Sequence, residues 1–114
     1  MNWKKLESLS QLAQIDADSR QHPVMIFKHS TRCSVSSTAL DRLNRNSGDE
    51  LPAADLYYLD LIAHRDISNA IAQRYEVEHE SPQMLVIRDG KAVHVTSHFE
   101  ISYPDLKHTL EQVK

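Results

Sequence analysis

The sequence predicts an α/β domain, with a central mixed four-stranded β-sheet flanked by helices on both faces and an extra N-terminal helix. Three observations carry this expectation. Residues 24–27, VMIF, form a short unbroken apolar run, the pattern of a strand buried on both faces. A helical pattern and a second apolar run follow it. That makes a strand–helix–strand unit, and hence two parallel strands joined by a right-handed crossover. Later, QMLVIRDGKAVHVTSH holds two apolar runs joined by Asp89-Gly90, a strong hairpin signal that adds two antiparallel strands.

The elements follow in order. Trp3, Leu6, Leu9, Leu12 and Ala13 recur at three- and four-residue spacing, which predicts an amphipathic helix over 2–14, broken by DADSRQHP. After the VMIF strand, Val35, Ala39, Leu40 and Leu43 fall on one side of a helix that should end near Gly48. ADLYYLDLI is rich in strand-favouring residues and supplies the second strand. A third helix begins at Asp66, a good N-cap, and carries Ile67, Ala70 and Ile71 at helical spacing. The last helix is announced by Ser102 ahead of Pro104, with Leu106, Leu110 and Val113 on its apolar face. Helices on both faces of one sheet bury all these apolar positions economically.

With 114 residues, 40% hydrophobic and 25% charged, the chain reads as a single domain over 1–114 with the balance of a globular protein. A net charge of −3 with scattered basic residues argues against a nucleic-acid partner, which would need a concentrated basic face. Nowhere do enough apolar residues run together for a membrane span. The N-terminal MNWKKLESLSQLAQ lacks the apolar segment of a signal peptide. One cysteine allows no internal disulfide, which fits a reducing compartment, so a cytoplasmic location is expected.

That cysteine, Cys33, falls in the turn between the first core strand and its helix. In open α/β sheets, reaction sites gather at the carboxyl ends of strands. A helix N-terminus also presents unpaired N–H groups and a positive dipole end, which favours a thiolate there. The opposing view is that a free cysteine usually behaves as a small buried hydrophobe. The flanks, STR before and SVSS after, are polar and hydroxyl-rich, which suits a reactive thiol better than a core position. Zinc needs several closely spaced ligands and no second cysteine exists, so no metal is expected at Cys33. His94, Thr96 and His98 alternate on the last strand, but histidines four residues apart on a strand are roughly 13 Å apart. They read as an exposed polar face. Tyr57 and Tyr58 read as sheet packing, and Trp3 as an anchor for the first helix. Pro82, preceded by Ser81, stands at the start of a strand, where proline marks a special turn that can be cis.

These residues carry a resemblance. The element order resembles the thioredoxin fold, whose landmarks are a cysteine after the first core strand and a proline before the hairpin. More closely, FKHSTRCSVSSTA and ISNAIAQRYEVEHESPQMLVIRDGKAVHVTSH resemble the monothiol bacilliredoxins, thioredoxin-like proteins of the bacillithiol system. The resemblance implies that Cys33 is the nucleophile, that Pro82 is cis and faces it, and that the backbone of Ser81 pairs with the substrate chain. Thr31 and Arg32 would flank the substrate, with the arginine either suited to the carboxylates of a small acidic thiol or simply a solvated loop charge. Two departures stand out: Ser34 replaces the usual proline after the cysteine, and Arg32 separates Thr31 from Cys33. Ser36 occupies the second position of the Cys-x-x-Cys pair, so the site is a monothiol.

The implied activity is thiol–disulfide exchange that removes a low-molecular-weight thiol, bacillithiol or a similar one, from S-thiolated client proteins. The thiol is a co-substrate; no bound cofactor is expected, and no glycine-rich phosphate loop is present. The hydroxyl of Ser36 or Ser34 could donate to the thiolate, or Ser36 could simply cap the helix. Two other classes fit the same residues. One is a thiol sensor or an iron–sulfur-bridging protein of glutaredoxin type, in which a lysine such as Lys28 helps bind the small thiol. The other is a thioredoxin-fold adaptor with an inert cysteine.

Overall fold

VMIF belongs to the central strand of the sheet. In the computed structural model, which describes residues 1–45 and 51–114, the elements are β1 (Trp3–Lys5), α1 (Ser10–Asp18), β2 (Val24–His29), α2 (Ser34–Arg45) and β3 (Asp55–Asp60). They continue with α3 (Arg65–Arg74), β4 (Gln83–Arg88), β5 (Lys91–Ser97), a 3-10 turn η1 (His98–Glu100) and α4 (Tyr103–Val113). The sheet order is β1-β3-β2-β4-β5. Strands β1, β3 and β2 are parallel; β4 runs antiparallel to β2, and β5 to β4.

Alternation along the strands sorts the core onto two faces. Val24 and Ile26 of β2 join Leu85 and Ile87 of β4 beneath α1 and α3, which contribute Leu12, Ile15, Ile67 and Ile71. Met25 and Phe27 join Met84 and Val86 on the opposite face, beneath Ala39 and Leu43 of α2 and Leu106 and Leu110 of α4. The same alternation sends Lys28 to the α3 face and His29 to the α2 face. This matters for the site, because β2 is buried along its whole length, polar residues included.

The hairpin turns as expected: Asp89 (φ 54°) and Gly90 (φ 74°) both adopt the left-handed conformation that a two-residue type I′ turn requires. Ser102 caps α4 as expected, its Oγ accepting from the Asp105 N–H at 3.2 Å. The expected end of α2 near Gly48 lies outside the described residues.

Four expectations need correcting. The sheet has five strands, not four, because Trp3–Lys5 is a parallel edge strand on β3 rather than the start of a helix. Its helical spacing was overridden by tertiary pairing: Trp3 packs tilted against Phe27 at 6.0 Å and edge-on to Tyr58 at 6.4 Å between ring centroids, and its Nε1 donates to Asn44 at 2.9 Å. The helix begins only at Ser10, and Gln11 reaches back to accept from the backbone N–H groups of Glu7 and Ser8. It then runs on to Asp18, past the expected break. Helix α3 starts at Arg65, with His64 as N-cap and no side-chain cap; Asp66 sits in the first turn, where a carboxylate complements the dipole. Finally, β5 is inverted relative to expectation. His94 is half-buried and bonds Asp105 of α4 at 2.7 Å, His98 leaves the strand altogether, and the outward residues are Val93 (47% exposed) and Val95 (37%). Helix α4 covers one side of this edge, and among the described residues Val93 and Val95 face outward on the other.

Candidate active site

Cys33 stands immediately before α2, half-buried. Its N–H donates to the Ser30 carbonyl at 3.2 Å, closing the turn out of β2, and its own carbonyl accepts from the Ser37 N–H at 3.1 Å, the first bond of the helix. The thiol therefore lies at the positive end of α2, where the free N–H groups of the first turn favour an anion. Thr31, Arg32 and Ser34 around it are exposed.

Ser36 is fully buried. Its Oγ accepts from the Ser30 N–H at 3.0 Å and bonds His29 Nδ1 at 2.7 Å, so it ties the end of β2 to the first turn of α2. Of the two roles open to Ser36, donor to the thiolate or support of the helix start, the structure shows the second: its hydroxyl is engaged by Ser30 and His29. Satisfying two buried groups is the stronger demand on this hydroxyl. The partner is His29, which the sequence suggests only as a nearby positive charge and whose buried scaffold role sequence reasoning missed. It is 5% exposed, stacked on Phe27 and tilted against Tyr58, and burial pushes its pKa down. The one available signal was its place in a strand buried from end to end.

The neighbouring strand brings the proline. Lys28 pairs with Gln83 in the β2–β4 register, and just beyond that pair lie His29 and Ser30 along one strand, Pro82 and Ser81 along the other. The Ser81–Pro82 bond is cis and Pro82 is buried. The Pro82 carbonyl accepts from the His98 N–H at 3.0 Å, which holds η1 against this corner. The register thus gathers the Cys33 turn and the Ser81–Pro82 pair at one end of the sheet.

Lys28 goes elsewhere. It is 0% exposed and lies under α3, where Nζ donates to the Ser68 carbonyl at 3.1 Å and contacts His79 Nδ1 at 3.3 Å. Burial pushes its pKa down to about 8. A lysine on the face opposite α2 is not placed to hold a small thiol at Cys33. Among the described residues, no three His, Cys, Asp or Glu side chains gather closely enough to hold a metal ion, and no helix is long and apolar enough to cross a membrane.

A half-buried single cysteine ahead of a helix, a cis proline on the adjacent antiparallel strand and a serine at the second position together define a monothiol redox protein of thioredoxin fold. Residues 4–106 match the family model described as Monothiol bacilliredoxin BrxC, and the chain belongs to that family. Among solved structures, it is similar to a thioredoxin-fold protein designated an oxidoreductase, with 31% identity and a TM-score of 0.79 over 96% of this chain and 93% of that one. Thioredoxins from Fasciola hepatica (17% identity, TM-score 0.72, 97% and 99% covered) and Halobacterium salinarum (16%, 0.72, 98% and 90%) share the fold.

Proposed function

We propose that the protein removes a low-molecular-weight thiol, bacillithiol in the first instance, from mixed disulfides on client proteins. The observation that carries this is the position of Cys33: a half-buried thiol at the start of α2, on the corner that also holds the cis Ser81–Pro82 bond.

The Cys33 thiolate attacks the small-thiol sulfur of the client's mixed disulfide. A Cys33–small-thiol disulfide forms as the client's S–S bond breaks, and the client leaves as a thiolate that takes a proton from water. With Ser36 at the second position, no internal disulfide can displace the adduct. A second small-thiol thiolate attacks the adduct, giving the symmetrical small-thiol disulfide and the Cys33 thiolate. Arg32, exposed in the turn, is suited to the carboxylates of the small thiol, and the Ser81 backbone to the client chain. The iron–sulfur alternative leans on a lysine that this fold buries on the other face of the sheet.

Mass spectrometry tests the proposal. A client carrying a bacillithiol adduct is mixed with the reduced protein; the adduct mass should move to Cys33 and the client should emerge reduced. Cys33→Ser should leave the client modified. An adduct that stays on the client with the unsubstituted protein would overturn the reading.

A further inference from the structure

Beside the Ser81–Pro82 bond, the 77–80 segment and the end of β5 line an open groove of about 360 Å³. Glu78, Glu80 and Glu100 line it together with Gln83 and Val95, and no lysine or arginine does. Gln83 is 1% exposed. Its Nε2 donates to the Glu78 carbonyl at 2.9 Å, which fixes the amide, yet its buried Oε1 has no hydrogen-bond partner. The buried Oγ1 of Thr96, which also lines the groove, has none either. A buried acceptor without a donor costs stability and is uncommon. Here two of them lie at a groove walled by carboxylates, and what the groove lacks is a cationic donor.

The nearby cations do not fill that need. Lys28, opposite Gln83 in the sheet, is turned to Ser68 and His79, and His98 reaches Glu80 only at 3.8 Å. The carboxylates do not converge as a metal site would. An extended organic cation with an apolar stem fits better, because Val95 is 37% exposed within the groove and Phe99, next in sequence to the lining residue Glu100, is 72% exposed.

We propose that this groove docks a lysine or arginine side chain of the S-thiolated client, so that preferred clients carry a basic residue near the modified cysteine. This rests on the exchange reading above and adds the substrate class to it. Arg32 on the one side and the glutamates on the other would then orient the mixed disulfide, with the small thiol's carboxylates toward Arg32 and the client's base in the groove. That orientation presents the small-thiol sulfur to Cys33.

The test is a set of peptides identical except for Arg, Ala or Glu near a cysteine held as a mixed disulfide with bacillithiol, in single turnover with the unsubstituted protein. The Arg peptide should react about three- to tenfold faster than the Glu peptide at low salt, and the ratio should shrink in high salt. Glu80→Gln/Glu100→Gln should shrink it too. In parallel, fluorescent versions with serine in place of the cysteine are titrated onto Cys33→Ser protein, and binding should rank Arg, Ala, Glu. Equal rates and equal binding would overturn the groove and leave exchange standing. Ranked binding without any transfer would support the groove and sink the exchange reading. Neither transfer nor ranking would sink both.

Discussion

Ser36 Oγ lies 2.7 Å from His29 Nδ1 and 3.0 Å from the Ser30 nitrogen, so one hydroxyl joins the last residues of the central strand to the first turn of the helix behind the thiol. The oxygen accepts from the Ser30 N–H, and the hydroxyl and His29 Nδ1 share one further proton in the hydrogen bond between them. The second position of the redox motif therefore holds the scaffold of the site in place rather than the sulfur.

Ser36→Ala leaves the Ser30 N–H and the His29 ring nitrogen buried without this partner. The expected loss is about 1–3 kcal/mol, read as a lower denaturant midpoint with an unchanged slope. An unchanged midpoint would mean that the bond contributes nothing to folding.

Lys28 makes a prediction of opposite sign. It is buried, with a carbonyl and an imidazole for partners, and its pKa falls from 10.5 to about 8. The unfolded chain therefore holds this proton more tightly, and stability should rise between about pH 8 and 10.5 as the folded lysine goes neutral first. Below that window the buried charge costs about 3 kcal/mol at most. Lys28→Met should raise the denaturant midpoint at pH 7, and its advantage should fade across the same window. An advantage that does not change with pH would show that the ammonium is not penalised by burial.

How much of this could be read from the sequence depends on whether the information is local. The central strand, the I′ turn at Asp89-Gly90 and the Ser102 cap are written in neighbouring residues. Trp3–Lys5 is not: its helical spacing was real, and only the chance to pair with residues 56–58 and pack against Phe27 turned it into a strand. The position of Cys33 and its flanking Ser81-Pro82 could be read from the order of elements. What stayed hidden is which way side chains face once β2 is buried along both faces. That parity sends His29 to Ser36 and Lys28 under α3, and it turns Val93 and Val95 outward from β5.

Arg32 is exposed in the turn ahead of Cys33. Arg32→Ala should slow exchange with a mixed disulfide whose small thiol carries carboxylates by about three- to tenfold at low salt, the scale of one exposed charge pair. Exchange with a neutral small thiol should change far less. Stopped-flow rates with both partners decide it, and equal slowing would assign Arg32 to the shape of the turn rather than to recognition.

Trp3 offers the sharpest test of the corrected N-terminus. Its ring centroid lies 6.0 Å from that of Phe27, a contact that exists only if residues 3–5 form the edge strand. A helix over 2–14 would have no reason to hold that geometry. In a double-mutant cycle, Trp3→Ala and Phe27→Leu should therefore couple by about 0.5–1.5 kcal/mol, the worth of an aromatic pair beyond the area it buries. Trp3→Phe should keep part of that coupling while losing the Nε1 bond to Asn44, which is exposed and worth about 1 kcal/mol or less. Trp3 is also the only tryptophan, so its emission reports on this strand alone. If the strand detaches before the core melts, the emission shift should precede the loss of far-ultraviolet dichroism in a denaturant titration, as expected of a short edge element. Zero coupling in the cycle would return these residues to the helix that their spacing suggests.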